Sequence, residues 1–241
     1  MRVTVIAATA FVAMPASVNS TQIAKDMRML GGVDDIDLLH EFAGRGCYKS
    51  WDKPNPATRA NEDYLAHIIE SAHVSVMEHG QISLYVEGVS RSLLLELERH
   101  GRNSHLSFSV ESQRYVNTGK YHAEPVIPPL FHVTGDAGFI AAENLRCHYD
   151  ESLALYDQTY GDLRDIGIPV KQAREAARSF LPNATPVDFV VTADIRGWRE
   201  VIEKRNYEGA DLEIQQFAQD VLNAIYEYAP NSLQDITARA A

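Results

Sequence analysis

Residues 90–115 read S-R-S-L-L-L-E-L-E-R-H-G-R-N-S-H-L-S-F-S-V-E-S-Q-R-Y. Leu93, Leu94 and Leu97 share one helical face, so the stretch predicts a helix over 90–99 with Arg99 and His100 at its C-terminal end. Gly101 suits a helix stop. Arg91, Arg99, Arg102 and Arg114 gather here in a chain of 241 residues whose formal net charge is −11. Arg presents a planar fork of donors that fits phosphate or carboxylate in a bidentate manner. The segment therefore predicts an anionic ligand, and the interleaved Ser and Gln suit hydrogen bonds to phosphate and heterocycle.

Outward from this stretch, 82–86 alternates as a strand and 187–192 is β-branched like one. Residues 3–8 read as a strand; with Arg2 before and A-M-P-A-S after, they also resemble a secretion signal. Helices are expected over 34–46, 61–72, 139–166, 170–180, 195–206 and 211–228, and loops over 54–56 and 120–136. The sum is one mixed α/β (α+β) domain over 1–241 with long helices and no doubly wound βαβ alternation.

Hydrophobic residues at 45% and charged residues at 23% are ordinary for a soluble globular protein. The negative charge argues against a nucleic-acid polymer as partner. No apolar run approaches the ~18 residues that span a membrane. Cys47 and Cys147 are too few for a disulfide framework, so a reducing compartment, the cytoplasm, is expected. Cys47 reads either as a nucleophile or as a small buried apolar side chain, the commoner role. The glycine-rich motifs of Rossmann and P-loop sites are absent. His73, Glu78 and His79 match no standard zinc spacing, and no metal is expected. Arg174 and Arg178 lie four apart on one helical face, and Arg196, Arg199 and Arg205 follow a strand. Singly, each is a solvated charge; only convergence makes them a site.

The order of segments resembles the flavin-dependent thymidylate synthase family along nearly the whole chain. The blocks are E-F-A-G-R-G-C-Y at 41–48, H-V-S-V-M-E-H at 73–79, and S-R-S then E-L-E-R-H within 90–100. S-Q-R-Y at 112–115, Q-A-R-E-A-A-R-S-F-L-P-N-A-T at 172–185 and R-N-Y-E-G-A-D-L-E-I at 205–214 complete the set. The resemblance implies a central, mostly antiparallel sheet flanked by long helices. It also implies a homotetramer with FAD and substrate bound where subunits meet. The implied reaction is reductive methylation of uridylate at C5, with 5,10-methylenetetrahydrofolate giving the carbon and NADPH-reduced FAD the hydride. Such a reaction needs no enzyme nucleophile.

Carried over residue by residue, the family's flavin contacts fall on His73, Ser75, Glu78, Arg99, His100 and Arg196. Its nucleotide contacts fall on Glu96, Arg99, Ser112, Gln113, Arg114 and Arg178, with Ser112, Arg114 and Arg178 around the phosphate. Arg205 matches the arginine that touches the pyrimidine, and with Arg99 it is expected to carry the chemistry.

The chain departs from the family pattern at its hallmark, R-H-R followed after seven residues by S. Here Arg99-His100-Gly101 leads to Ser112 with three extra residues, and Arg102 is expected to replace the third hallmark residue on the flavin. Val110 stands where Glu or Gln is usual, and Glu111 could shift into that role. Asp194 stands where a flavin-contacting turn usually has Asn, Glu200 where Asn or His is usual, and Gly209 where His is frequent. Two readings follow: a binder of flavin or nucleotide without catalysis, or an enzyme with altered substrate choice. Ser112, Arg114, Arg178 and Arg205 persist together, which favours the enzyme. The enlarged loop predicts room for a 2′-hydroxyl, so that UMP is methylated as well as dUMP. The resemblance connects that choice with nucleoside-antibiotic pathways of the polyoxin type.

Overall fold

The computed structural model describes residues 1–29, 33–52, 55–100 and 104–236. Among them four strands, β1 (Arg2–Ala8), β2 (Gln81–Ser90), β3 (Ser107–Val110) and β4 (Pro186–Asp194), form one antiparallel sheet in the order β1-β2-β4-β3. The helices are α1 (Ala16–Asn19), α2 (Gln22–Met29), α3 (Asp35–Tyr48), α4 (Asn61–Glu70), α5 (Arg91–Glu98) and α6 (Thr118–Tyr121). After them come α7 (Pro129–Val133), α8 (Gly135–Asp165), α9 (Val170–Ala177), α10 (Ile195–Arg205) and α11 (Leu212–Tyr226). The mixed α/β class and the antiparallel sheet are as expected.

The period of two in the central strands decides which face is covered. Ile82, Leu84 and Val86 of β2 and Val187, Phe189 and Val191 of β4 are buried, whereas Ser83, Tyr85, Val190 and Thr192 between them are half-buried. The buried face packs against Trp198, Val201 and Ile202 of α10 and Ile214, Phe217 and Val221 of α11. Gly88, at φ +67°, sits where β2 slips register against β4 between Val86 and Val89, a bulge that an L side chain would strain. Ser90 then caps α5 by accepting from the Leu93 amide at 3.1 Å. The bulge and cap lead into α5, which packs Leu93, Leu94 and Leu97 on the core and carries Glu96, with Arg99 as its C-cap.

The strand expected over 3–8 forms, and several other expectations change. The apolar run at 3–8 is β1, paired with β2, with Val3 and Val5 against the core. Residues 120–136, expected as a loop, contain α7 and the start of α8, because Pro129 fits the first helical position. The helix expected over 170–180 tightens into a 3-10 turn at Arg178–Phe180, ahead of Pro182. Strand β3 and helices α1 and α2 are additions. Cys47 is exposed rather than buried: it shares the angular stripe of Ile36, His40 and Gly44 but sits in the last turn of α3, beyond the residues the helix buries.

A buried polar network fixes α10 from its far side. Asp37 accepts from the Asn231 and Ser232 amides at 2.8 and 3.0 Å and from the Ser232 hydroxyl. His40 Nδ1 lies 2.8 Å from that hydroxyl. Arg199 of α10 donates to the Ser232 carbonyl at 2.7 Å and to both Asp235 oxygens. Burial pushes the Asp37 carboxyl up to about 6, and burial followed by the nearby His79 holds His40 down to about 3. The two act oppositely on stability. The His40 contribution is present above its ordinary 6.5 and is lost as pH falls towards 3. The Asp37 contribution is present below 3.8 and is lost as pH rises through 6. Asp37→Asn removes the second, so its urea midpoint is expected to rise more steeply than that of the unsubstituted protein between about pH 4 and 6. Parallel profiles for the two proteins would contradict this assignment.

Candidate active site

Helix α10 ends at Arg205, whose guanidinium reaches back to α5. Its Nε donates to His100 Nε2 at 2.7 Å, Nη1 to Glu96 Oε2 at 3.1 Å and Nη2 to the Glu96 carbonyl at 3.2 Å. Three of the five guanidinium donors are thereby engaged. Because His100 Nε2 accepts, its proton belongs on Nδ1. Burial and then the Arg205 charge hold His100 below its ordinary value, which keeps it neutral. Burial and then the neighbouring Asp211 carboxyl push Glu96 up. The result is a half-buried cation held by a neutral ring and a reluctant carboxylate. Arg99 is the exposed C-cap of α5, one residue before buried His100.

The insertion expected from the resemblance follows His100 in the chain. Arg102, with Gly101 and Asn103, lies outside the described residues. Its flanks are fixed: the Ser104 amide donates to the His100 carbonyl at 3.0 Å. Ser104 also presses on the first turn of α10, where a Cβ on Gly197 would stand 2.1 Å from the Ser104 carbonyl oxygen. Only glycine permits that approach.

A second group forms at the other end of α10. Arg196 pairs with Glu78 of the 3-10 turn Val74–Glu78. Asp194 caps α10 by accepting from the Gly197 amide at 2.7 Å, and His105 Nδ1 lies 3.5 Å from its other oxygen. His73 and Ser75 are exposed on the same turn region, and His73 Nδ1 is 2.9 Å from the Tyr48 hydroxyl. Tyr48 was not among the expected site residues, although it closes the block at 41–48. It lines, with His73, Arg45 and His67, a cavity of about 690 Å³. Glu200, one face along α10, is paired with Lys204, which holds its carboxyl below the usual range. Arg196 and Arg205 are nine residues apart on α10, roughly 14 Å along its axis.

The third group is the phosphate candidate. Ser112 Oγ accepts from the Arg114 amide at 3.4 Å, and Arg114 Nη2 lies 2.8 Å from Glu175 of α9. The Arg114 Nε is buried with no hydrogen-bond partner among the described residues, a donor suited to an anionic oxygen. Arg178 is exposed at the C-terminal end of α9. Gln113 and Val110 line a cavity of about 250 Å³ with Arg91, Glu98 and Asn183. Val110 packs against the core and borders this cavity without a hydrogen-bonding group. Glu111 is engaged through one carboxylate oxygen, Oε2, which lies 2.8 Å from His122 Nε2.

The antiparallel sheet and its flanking helices define a mixed α/β protein whose arginines gather in three groups among the described residues. Its family is defined by sequence: residues 29–231 match the model of the thymidylate synthase complementing protein family. The chain is 46% identical over 221 residues to the probable flavin-dependent thymidylate synthase of Mycobacterium phage L5, covering 91% of this chain and 88% of that protein. It is 46% identical over 205 residues to the phage D29 counterpart, covering 85% of each. It is 41% identical over 238 residues to the flavin-dependent thymidylate synthase of Mycobacterium tuberculosis strain H37Rv, covering 98% of this chain and 89% of that protein. The chain belongs to the flavin-dependent thymidylate synthase family.

Proposed function

We propose that the protein catalyses reductive C5-methylation of a uridylate, with UMP accepted alongside dUMP. The observation that carries the reading is the Arg205–His100–Glu96 group: a fixed, half-buried cation positioned between α10 and α5. A cation beside N3 or its carbonyls lowers the cost of negative charge on the pyrimidine, which enriches C5 in electron density. Neutral His100 supports this role by adding no competing charge, and Glu96 orients the guanidinium. Ser112, Arg114 and Arg178 hold the phosphate, and the buried Arg114 Nε supports that assignment.

The donors and stacking groups His73, Ser75, Glu78, Arg99, His100 and Arg196 fit FAD, and Tyr48 extends that surface. When bound and reduced by NADPH, FAD supplies the hydride that completes the methyl group; methylenetetrahydrofolate supplies the carbon. The exposure of Arg99, Arg178 and His73, together with exposed Phe139, Ile140 and Leu155 on the 31-residue α8, supports assembly of a homotetramer with sites between subunits. Among the described residues no helix is long and apolar enough to cross a membrane.

The insertion supports the choice of sugar. Its described flanks are His100, which accepts from Arg205, and Ser104, whose amide donates to the His100 carbonyl. An extra hydroxyl on a ligand needs space and a partner, and an enlarged loop can provide both. Methylated UMP would suit a pathway of the polyoxin type. The test is formation of dTMP and 5-methyl-UMP by purified protein supplied with FAD, NADPH, methylenetetrahydrofolate and either nucleotide. Both products are expected. Product from dUMP alone would refute the altered sugar choice, and none from either, in protein that purifies yellow, would favour a non-catalytic binder.

A further inference from the structure

Residues 112–121 form a ten-residue excursion whose two ends are joined by a single side-chain pair. Glu111 Oε2 lies 2.8 Å from His122 Nε2, and the two side chains are 17% and 9% exposed. Each partner is anchored independently. The Glu111 amide donates to the Asp188 carbonyl of β4 at 3.0 Å, and Arg91 Nη2 donates to the Glu111 carbonyl at 3.2 Å. The Tyr149 hydroxyl of α8 donates to the His122 carbonyl at 2.8 Å, and the His122 amide to the Thr118 carbonyl at 2.8 Å. Within the excursion the Tyr115 and Val116 amides both donate to the Ser112 carbonyl, and Asn117 caps α6. The loop carries Ser112, Gln113 and Arg114 on its first turn.

We infer that the Glu111–His122 pair is a clasp that positions the Ser112–Arg114 turn, and that nucleotide affinity depends on whether His122 carries a proton. The inference rests on the reading of Ser112–Arg114 as the nucleotide-phosphate site. Fixing the neck of a loop reduces the conformational freedom that ligand binding must otherwise remove. A charge-assisted bond at that neck is stronger than a neutral one. The groups facing the pair are Asp188, the Arg91 guanidinium and, towards Glu111, the Tyr85 phenol. Glu111, His122 and Asp188 bring ligand atoms within 4.8 Å of one another. With the Arg91 guanidinium in the same space, a proton suits this cluster better than a metal cation.

The sign follows from the pair. The Glu111 bond raises His122 above its ordinary 6.5, with burial opposing. The clasp is therefore fully charged below that value and weakens as pH rises through the raised one. The dUMP phosphate completes its own ionisation near pH ~6; the uracil N3–H titrates towards the upper end of the range, so the protein's share is read as the difference from variants that meet the same ligand titration.

The experiment is calorimetric titration of the FAD-loaded protein with dUMP from pH 7 to 9. Affinity of the unsubstituted protein is expected to fall about tenfold across that range. His122→Gln should bind weakly with a flat profile and unchanged FAD content, and His122→Lys should restore affinity and keep it at high pH. Should His122→Gln fail to fold, Glu111→Gln is expected to give the same flat profile. The same pH profile in the unsubstituted protein and in these variants would overturn the clasp. Arg114→Ala separates the two layers of the argument. Undiminished dUMP affinity there removes the nucleotide reading and the clasp with it. A loss there beside unaltered His122 profiles removes the clasp alone.

Discussion

Replacing Arg205 by alanine is expected to lower the rate of uridylate methylation by about 10²–10³-fold while the protein still binds flavin. Arg205 is the cation at the centre of the Glu96–His100 group, and its charge is fixed there by three hydrogen bonds. Its partners on α5 and its own α10 are both anchored: α5 by the Ser90 cap, α10 by Arg199 on Asp235. The loss should fall on kcat more than on nucleotide KM, because charge on the ring matters most as C5 becomes nucleophilic. The substitution leaves Glu96 and His100 without their shared partner, with a stability cost of about 1–3 kcal/mol. Unfolding curves and the flavin spectrum separate that cost from the chemical one. Arg205→Lys retains charge without the fork of donors and should fall between the two. Near-normal turnover by a folded, flavin-bound Arg205→Ala protein would remove the proposed role.

Arg114→Ala should have its effect on binding instead. Removing one charge-assisted phosphate contact is expected to weaken dUMP by about 10–100-fold, with a smaller change in kcat at saturating nucleotide. Its Nε is buried and unpartnered among the described residues, while its other end pairs with half-exposed Glu175. That surface pair stabilises the fold little, so the variant should unfold near the temperature of the unsubstituted protein. Titration with dUMP against unfolding temperature checks both statements. A drop in kcat with unaltered nucleotide affinity would place Arg114 outside the phosphate site.

Periodicity reaches local elements well. Leu93, Leu94 and Leu97 announce α5, and the alternation at 82–86 announces the middle of β2, because burial on one face leaves a direct trace in residue order. It fails for β3, whose four residues are too few to show a period and which exists because β4 pairs with it. It fails also for α7, where prolines read as a loop although one of them begins a helix. The site is legible in kind but not in arrangement. The arginines at 90–115 signal an anion, yet Arg205 meets His100 and Glu96 across more than 100 residues of chain. No spacing rule encodes such a contact; the resemblance to a family does. Glu111 shows the limit of that route. Its place beside Val110 suggests a ligand contact, but its carboxylate turns to His122, a partner eleven residues on.

The central claim is that this chain moves a hydride from flavin onto a uridylate that has received a one-carbon unit. The most direct measurement is an anaerobic single turnover. Protein loaded with FAD is reduced with one equivalent of NADPH, then mixed with dUMP and methylenetetrahydrofolate while flavin absorbance and nucleotide mass are followed. The account predicts that flavin absorbance returns only when both are present, with methylated nucleotide formed in amounts equal to the flavin reoxidised. Flavin that stays reduced over unmethylated nucleotide, or methylation without reoxidation, would contradict it.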